Sequence, residues 1–205
     1  MPHSFGAYLI LYIMVDLFNY TRRASSVAHI GAIDLGGDNP IRIQSMTTTN
    51  TNDTEACVRQ AEEIIKAGGE LVRFTTQGSR EAENMKNINA GIRADGYQTP
   101  LVADVHFNPN VADVAALYCE KLRVNPGNYV DPARKFIKQE YTDEEYAHEL
   151  QKIEDRFVPF LNICKEHHTA IRIGVNHGSL SDRIRNRYGD TPEGIVESCL
   201  EFLRI

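Results

Sequence analysis

The sequence contains no tryptophan, only four cysteines and no C-x-x-C pair in 205 residues. So few cysteines exclude a disulfide-stapled scaffold, and the missing pair excludes a zinc ribbon or a thioredoxin-type redox motif. Cys57, Cys119, Cys164 and Cys199 each sit beside apolar neighbours on helix-like segments, which marks them as small buried hydrophobes rather than ligands or nucleophiles. Scattered free thiols fit a cytoplasmic protein in a reducing compartment. Positive charge is also short, 22 Lys and Arg against 28 Asp and Glu. No nucleic-acid partner is expected, because holding a phosphate backbone needs a basic surplus. Long hydrophobic runs are missing too. The apolar run from Ala7 to Val15 is too short to cross a bilayer, has no Lys or Arg before it and no small-x-small cleavage pattern close behind it, so no membrane partner is expected. Met14 opens more ordinary soluble sequence, and an upstream extension or a misassigned start is the expected origin of the residues before it.

What is present suffices for one substantial core, with 42% of the chain hydrophobic. Residues 1–27 read as an extension and arm, and residues 28–205 as a single α/β domain. Ala28 to Leu35 reads as a small strand pair closed by Gly36 and Gly37, a lid or plug. Ile41 to Met46 reads as a first buried strand, followed by the hydroxyl-rich run Thr47 to Asn52, expected to be solvated. A helix over about Asp53 to Ala67 ends at Gly68 and Gly69. The grammar then repeats. Strands are expected at Leu71–Thr75, Leu101–Val105, Lys121–Val124 and Ile171–Val175. Between them lie a helix capped by Ser79 and running to about Asp95, and another from Asn108 and Pro109 to Cys119. A last helix opens at Thr191 and Pro192. The fourth crossover, Asn128 to Thr169, is longer than the rest; Thr142 and Glu145 have capping-box spacing and should start a helix that Arg156 to His168 continues or reopens.

Strands alternating with helices about every thirty residues require parallel pairing with right-handed crossovers. A doubly wound sheet would carry a Gly-rich turn after its first strand, and here that turn is rich in Thr and Asn. A (β/α)8 TIM-type barrel, with active residues at the carboxyl ends of many strands, fits better. About five βα units are present against the eight of a whole barrel. The barrel is therefore expected to be incomplete, stopping mid-domain at Ile205 with its last strand edge open.

Arg172 in IRIG puts a permanent cation inside a strand that otherwise reads as buried, where an unpaired charge is costly. Arg73 in LVRF and Arg123 in LRVN sit at a comparable depth. Three guanidinium forks converging on one barrel mouth make a pocket for a multiply charged anion. In the competing reading they pair with Asp104 and with glutamates. At the same strand ends stand Asp104 and His106 in ADVHF, Asn125 in VNPGN, and Asn176 with His177 in VNHGS. His106 can move protons near neutral pH or bond a neighbouring loop. Asp104 can orient substrate hydroxyls or hold Arg123. The turns NPGN and NHGS place glycine where backbone turns sharply or nears a ligand.

Four motifs, IQSMTTTNTND, LVADVHFNPNVA, LRVNPGN and IRIGVNHGSL, in this order and on successive strands, resemble the amino-terminal barrel of the 4-hydroxy-3-methylbut-2-enyl diphosphate synthase family. The likeness runs from about Asp16 to the last residue. NPGNYVDPARKF and FVPFLNICKEHHTAIRIGVNHGSLSDRI resemble that family's long form, which carries an additional domain. The resemblance implies the iron–sulfur oxidoreductase of the non-mevalonate isoprenoid pathway. That enzyme opens 2-C-methyl-D-erythritol 2,4-cyclodiphosphate reductively, losing a hydroxyl as water, with two electrons delivered through a 4Fe–4S cluster. By the matching motifs, Arg73, Arg123 and Arg172 would grip the diphosphate, while Asp104, His106, Asn125 and Asn176 would line the site, Asp104 and His106 as its catalytic residues and Asn125 and Asn176 as substrate-binding ones. A ferredoxin or flavodoxin as electron donor and a homodimer are implied as well. The family's cluster ligands, three cysteines and a glutamate, belong to a carboxyl-terminal domain. No metal ligand is therefore expected in this chain, and these residues alone are expected not to turn over substrate. Two other readings stay open: a phosphate-binding barrel of the pterin-synthase kind, with no metal or redox step, and an inactive barrel fragment.

Overall fold

The computed structural model describes residues 23–131 and 140–205. Most of the arm expected at 1–27, including the question of a start at Met14, lies outside the described residues. The chain then forms β1 (Val27–Ile30), β2 (Ile33–Gly36), β3 (Gln44–Met46), α1 (Thr54–Lys66), β4 (Leu71–Thr76), α2 (Ser79–Ala94) and β5 (Leu101–Val105). It continues through α3 (Pro109–Ala116), β6 (Lys121–Val124), α4 (Asp143–His167), β7 (Ala170–Ile173), α5 (Asp182–Tyr188) and α6 (Pro192–Leu203). Strands β3 to β7 make one parallel sheet in sequential order. This is the βα succession of a TIM-type barrel, incomplete as expected.

Alternation along the strands sorts the two faces of the sheet. Val72, Phe74, Leu101, Ala103, Val105, Leu122 and Val124 meet Met85, Ile88 and Ile92 of α2 and Phe157 and Phe160 of α4 in the main core. Phe157 packs edge-on to Phe202 of α6 at 5.0 Å between ring centres, which ties the last two long helices together. The opposite face is apolar at Leu71, Val102 and Ala170 near the amino ends of the strands, with Lys121 the exception there, and charged toward their carboxyl ends. There β1 and β2 form an antiparallel hairpin whose Ile30 is buried against Leu71 and Val102. The hairpin is thus a plug under the sheet, at the end away from the charges. Gly31, at φ +54°, turns it; Gly36 and Gly37, also left-handed, instead end its second strand. A two-residue connection demands positive φ, which only a residue inside the turn can supply.

Several expected elements differ. The first strand is not the buried run Ile41–Met46: only Gln44–Met46 pair, all exposed, and Ile41 and Ile43 are 84% and 61% exposed. Among the described residues β3 is an edge strand, so nothing covers these isoleucines. The strand expected at Ile171–Val175 is Ala170–Ile173 and is half-buried, because it is the other edge. The helix expected to reach Cys119 stops at Ala116, and the Thr169 hydroxyl takes the carbonyls of Ala116 and Cys119 at 2.8 and 3.1 Å. Cys119 therefore lies in the turn into β6. Gly78, not Ser79, occupies the cap position of α2, and no side chain bonds there. The Thr142 capping box forms as expected, and α4 is one helix of 25 residues that runs through Pro159. The short α5, capped by Ser181, was not foreseen.

Candidate functional site

Strand register places Thr75, Asp104, Arg123 and Arg172 side by side in one row of the face opposite the main core. The row beneath is Arg73, Val102, Lys121 and Ala170. The three arginines are therefore not at one depth. Arg73 starts a row lower, and its guanidinium reaches up to ion-pair with one oxygen of Asp104. The other oxygen accepts from Arg123 Nη1 at 3.2 Å. Asp104 is 1% exposed, so a bare carboxylate there would be costly, and two cations offset its burial. Two further donors of Arg123 go to the Gly174 carbonyl, Nε at 3.1 Å and Nη2 beside it. A Cβ on Gly174 would lie 2.2 Å from that Nε, so the glycine of IRIG is what lets Arg123 lie across β7.

The pairing expected as the competing reading is thus present for Arg73 and Arg123. Arg172 behaves differently. It is exposed rather than buried, since β7 is an edge, and it bonds no described residue. Arg73 also keeps a donor free: its Nε is buried without a partner.

His106 stands next to the same carboxylate. Its Nδ1 is 3.2 Å from the Asp104 carbonyl oxygen and its Nε2 is 3.6 Å from Asp104 Oδ2. Asn125 is buried, and its Nδ2 donates to Ser179 Oγ at 2.8 Å. Ser179 in turn donates to the Asn176 carbonyl at 3.1 Å. The Asn125 Oδ1 is buried with no partner. Asn176, exposed at the rim, uses its own Oδ1 to accept from Gly178 N at 2.9 Å, which closes the turn of NHGS. The NPGN and NHGS turns interlock where a Cβ on Gly127 would fall 1.7 Å from the Ser179 carbonyl oxygen. His177 is drawn away, its Nε2 in contact with the Asp190 carboxylate.

The hydroxyl-rich loop is not simply solvated. Thr47 and Thr51 are buried, and Thr51 Oγ1 donates to the Thr75 carbonyl at 2.6 Å. Backbone carbonyls at the end of β4 need partners, and these threonines supply them. Two contributions to this face are not legible in the sequence. Ser179 bridges both loops, and only its place after a strand-end asparagine hints at that. Lys121 is 9% exposed and lies on the Arg123 face. Burial, and then the charges of Arg172 and Arg73, hold its ammonium below the usual lysine range. Its signal was the two-residue spacing to Arg123, masked because a lysine at a strand start reads as solvated.

The cysteines do not fit a metal cluster. Cys57 Sγ lies 3.2 Å from Thr49 Oγ1 inside the core, and burial pushes the Cys119 thiol up and the Cys164 thiol to about 12. Among the described residues no three His, Cys, Asp or Glu side chains are grouped to hold a metal ion. A cavity of about 450 Å³ lined by Gly31, Tyr118, Glu120 and His168 contains none of the candidate site residues. Among the described residues no helix is long and apolar enough to cross a membrane.

Known proteins agree with this architecture. The chain is 76% identical over 191 residues to the 4-hydroxy-3-methylbut-2-en-1-yl diphosphate synthase (flavodoxin) of Phocaeicola vulgatus, covering 93% of this chain and 31% of that protein. It is 66% identical over 188 residues to the protein of the same name from Parabacteroides distasonis, with 92% and 31% covered. The corresponding protein of Porphyromonas gingivalis is 52% identical over 192 residues, with 94% and 33% covered. The chain spans about a third of the length of the curated relatives it matches. With residues 25–205 matching the family described as the GcpE TIM-barrel domain, the chain belongs to that family.

Proposed function

We propose that this chain is the substrate-binding barrel part of an enzyme that reductively opens 2-C-methyl-D-erythritol 2,4-cyclodiphosphate to (E)-4-hydroxy-3-methylbut-2-enyl diphosphate in isoprenoid biosynthesis. One observation carries it: a single buried carboxylate, Asp104, orders Arg73 and Arg123 while Arg172 and the Nε of Arg73 keep donors free. Such an arrangement favours a multiply charged anion over a neutral ligand. The names of the relatives support the same substrate class. Within this reading, residues 28–205 are the amino-terminal part of the barrel and residues 1–27 an arm before it.

The roles follow from chemistry. Arg73, Arg123 and Arg172 hold the diphosphate oxygens. Asp104, itself negative, does not face phosphate but holds two of those arginines in place. Asn125 offers its unpartnered Oδ1 to a substrate hydroxyl, and Asn176 lines the rim. His106, beside Asp104, hands the proton to the departing hydroxyl so that it leaves as water. The two electrons the ring opening requires are assigned to no residue here. The 4Fe–4S cluster of this reading is assigned to the part of the relatives' length that this chain does not match, which the 31% coverage supports. Flavodoxin, which the relatives' names carry, is the proposed donor, with ferredoxin the alternative. Within this reading the protein acts in the cytoplasm as a homodimer.

Titration calorimetry with the cyclic diphosphate tests the site. Binding should weaken about tenfold or more in Arg172→Ala, as expected for loss of a charged hydrogen bond. Unchanged affinity removes Arg172 from the site. In a reductant-coupled assay the chain alone should form no product, and turnover by it would overturn the placement of the cluster elsewhere.

A further inference from the structure

Lys121 sits in a place where lysine is rarely left alone. Its row neighbours across the strands are Val102 and Ala170, and Val102 belongs to the apolar floor capped by Ile30. The side chain is 9% exposed, yet no described residue bonds its ammonium. Nearby charge makes this worse rather than better. Arg73, Arg123 and Arg172 share the face, and the carboxylate among them, Asp104, is already taken by Arg73 on one oxygen and Arg123 on the other. A lysine whose stem is buried and whose ammonium faces like charges, with no counter-ion among the described residues, is a standing cost. The buried Nε of Arg73, in the same row, is a second unfilled donor.

We propose that Lys121 is a further anion-binding residue, which with Arg172 and Arg73 Nε closes the lower side of a site for a diphosphate group. This rests on the anion site proposed above and adds to it a residue from the floor of the sheet. Reach is adequate: one row along a strand is about 6.6 Å, which an extended lysine stem nearly spans. A flexible, compact point charge suits this position, since the stem packs on Val102 and Ala170 while the head rises to the Arg123 row. Arginine forks arranged above would orient the phosphates; the ammonium adds charge from beneath.

Calorimetry on the wild-type chain, Lys121→Met and Lys121→Arg, with inorganic pyrophosphate and separately with the cyclic diphosphate, decides it. Lys121→Met should lose about tenfold or more in affinity, while Lys121→Arg keeps most of it. Weakening with both probes assigns the contact to the diphosphate group itself; weakening with the cyclic compound alone assigns it to the bound substrate. Equal affinity of wild type and Lys121→Met for both probes overturns the proposal while leaving the anion site intact. Failure of the wild type to bind either probe overturns the anion site, and Lys121 with it. Circular dichroism melts accompany each titration. Removing a buried, unpaired charge should leave Lys121→Met melting no lower than wild type, and a marked drop would show that its ammonium serves a structural pair instead.

Discussion

Asp104 shows how one side chain can order its charged neighbours. Both of its oxygens are committed to guanidinium groups, and it is almost fully buried. Asp104→Asn keeps the shape but strands two cations, so unfolding in urea should show a loss on the order of 3 kcal/mol. The thiols make a second residue-scale prediction. Cys164 is pushed to about 12 by burial, well above a free thiol. A group raised in the folded state contributes stability in full below its unfolded pKa and loses it as pH climbs toward the folded one. The urea midpoint should therefore fall between about pH 8.5 and 12, less steeply in Cys164→Ala. An unchanged slope in that variant would show that other groups, such as the buried Tyr129 phenol, carry the effect.

At the scale of elements, the NPGN and NHGS turns behave as one piece. Gly127 presses on the Ser179 carbonyl, and Ser179 bridges Asn125 to Asn176. Gly127→Ala must separate the turns, so it should cost about 1–3 kcal/mol as overpacking and reduce diphosphate affinity as well. Ser179→Ala leaves Asn125 Nδ2 without its partner, and should lower affinity more than it lowers the melting temperature. An equal fall in both would reduce Ser179 to a packing role. The motifs of these turns were legible in the sequence because glycine and asparagine mark sharp backbone. Their interlock was not, because residues 127 and 179 meet only after β6, α4 and β7 have been laid down. The first strand was misread for a related reason: Ile41 to Met46 has the composition of a buried strand, but burial depends on a neighbour that an edge lacks.

At the scale of the molecule, the segments around the long fourth crossover are fastened by one buried charge network. Arg183 of α5 bonds both oxygens of Glu201 of α6 at 2.8 Å and pairs with Asp131 after β6 at 3.1 Å. Tyr146 of α4 donates to Glu201, and Arg183 lies 4.7 Å over the Tyr146 ring. Four segments are thereby joined by one buried cation. Arg183→Met should cost about 3–5 kcal/mol by leaving two buried carboxylates unpaired, and Glu201→Met added to it should recover part of that loss. Equilibrium unfolding of the single and double variants checks both statements. No run of residues around Arg183 announces this network, since its members lie on separate elements and each alone reads as a surface charge.

The order of strands and helices, the parallel sheet and the identity of the motif-bearing residues were determined by the sequence itself. Periodicity, caps and turn residues are local properties, and Thr142, Asn108 and Thr191 cap their helices where their spacing demands. Only the tertiary structure decided which charges are paired and which are free. Register put Asp104 beside Arg123 and within reach of Arg73, left Arg172 on an edge, and turned Lys121 onto the same face. Whether a cation is satisfied or waiting for an anion depends on distances across strands tens of residues apart, and those are settled by packing rather than by neighbours in the chain.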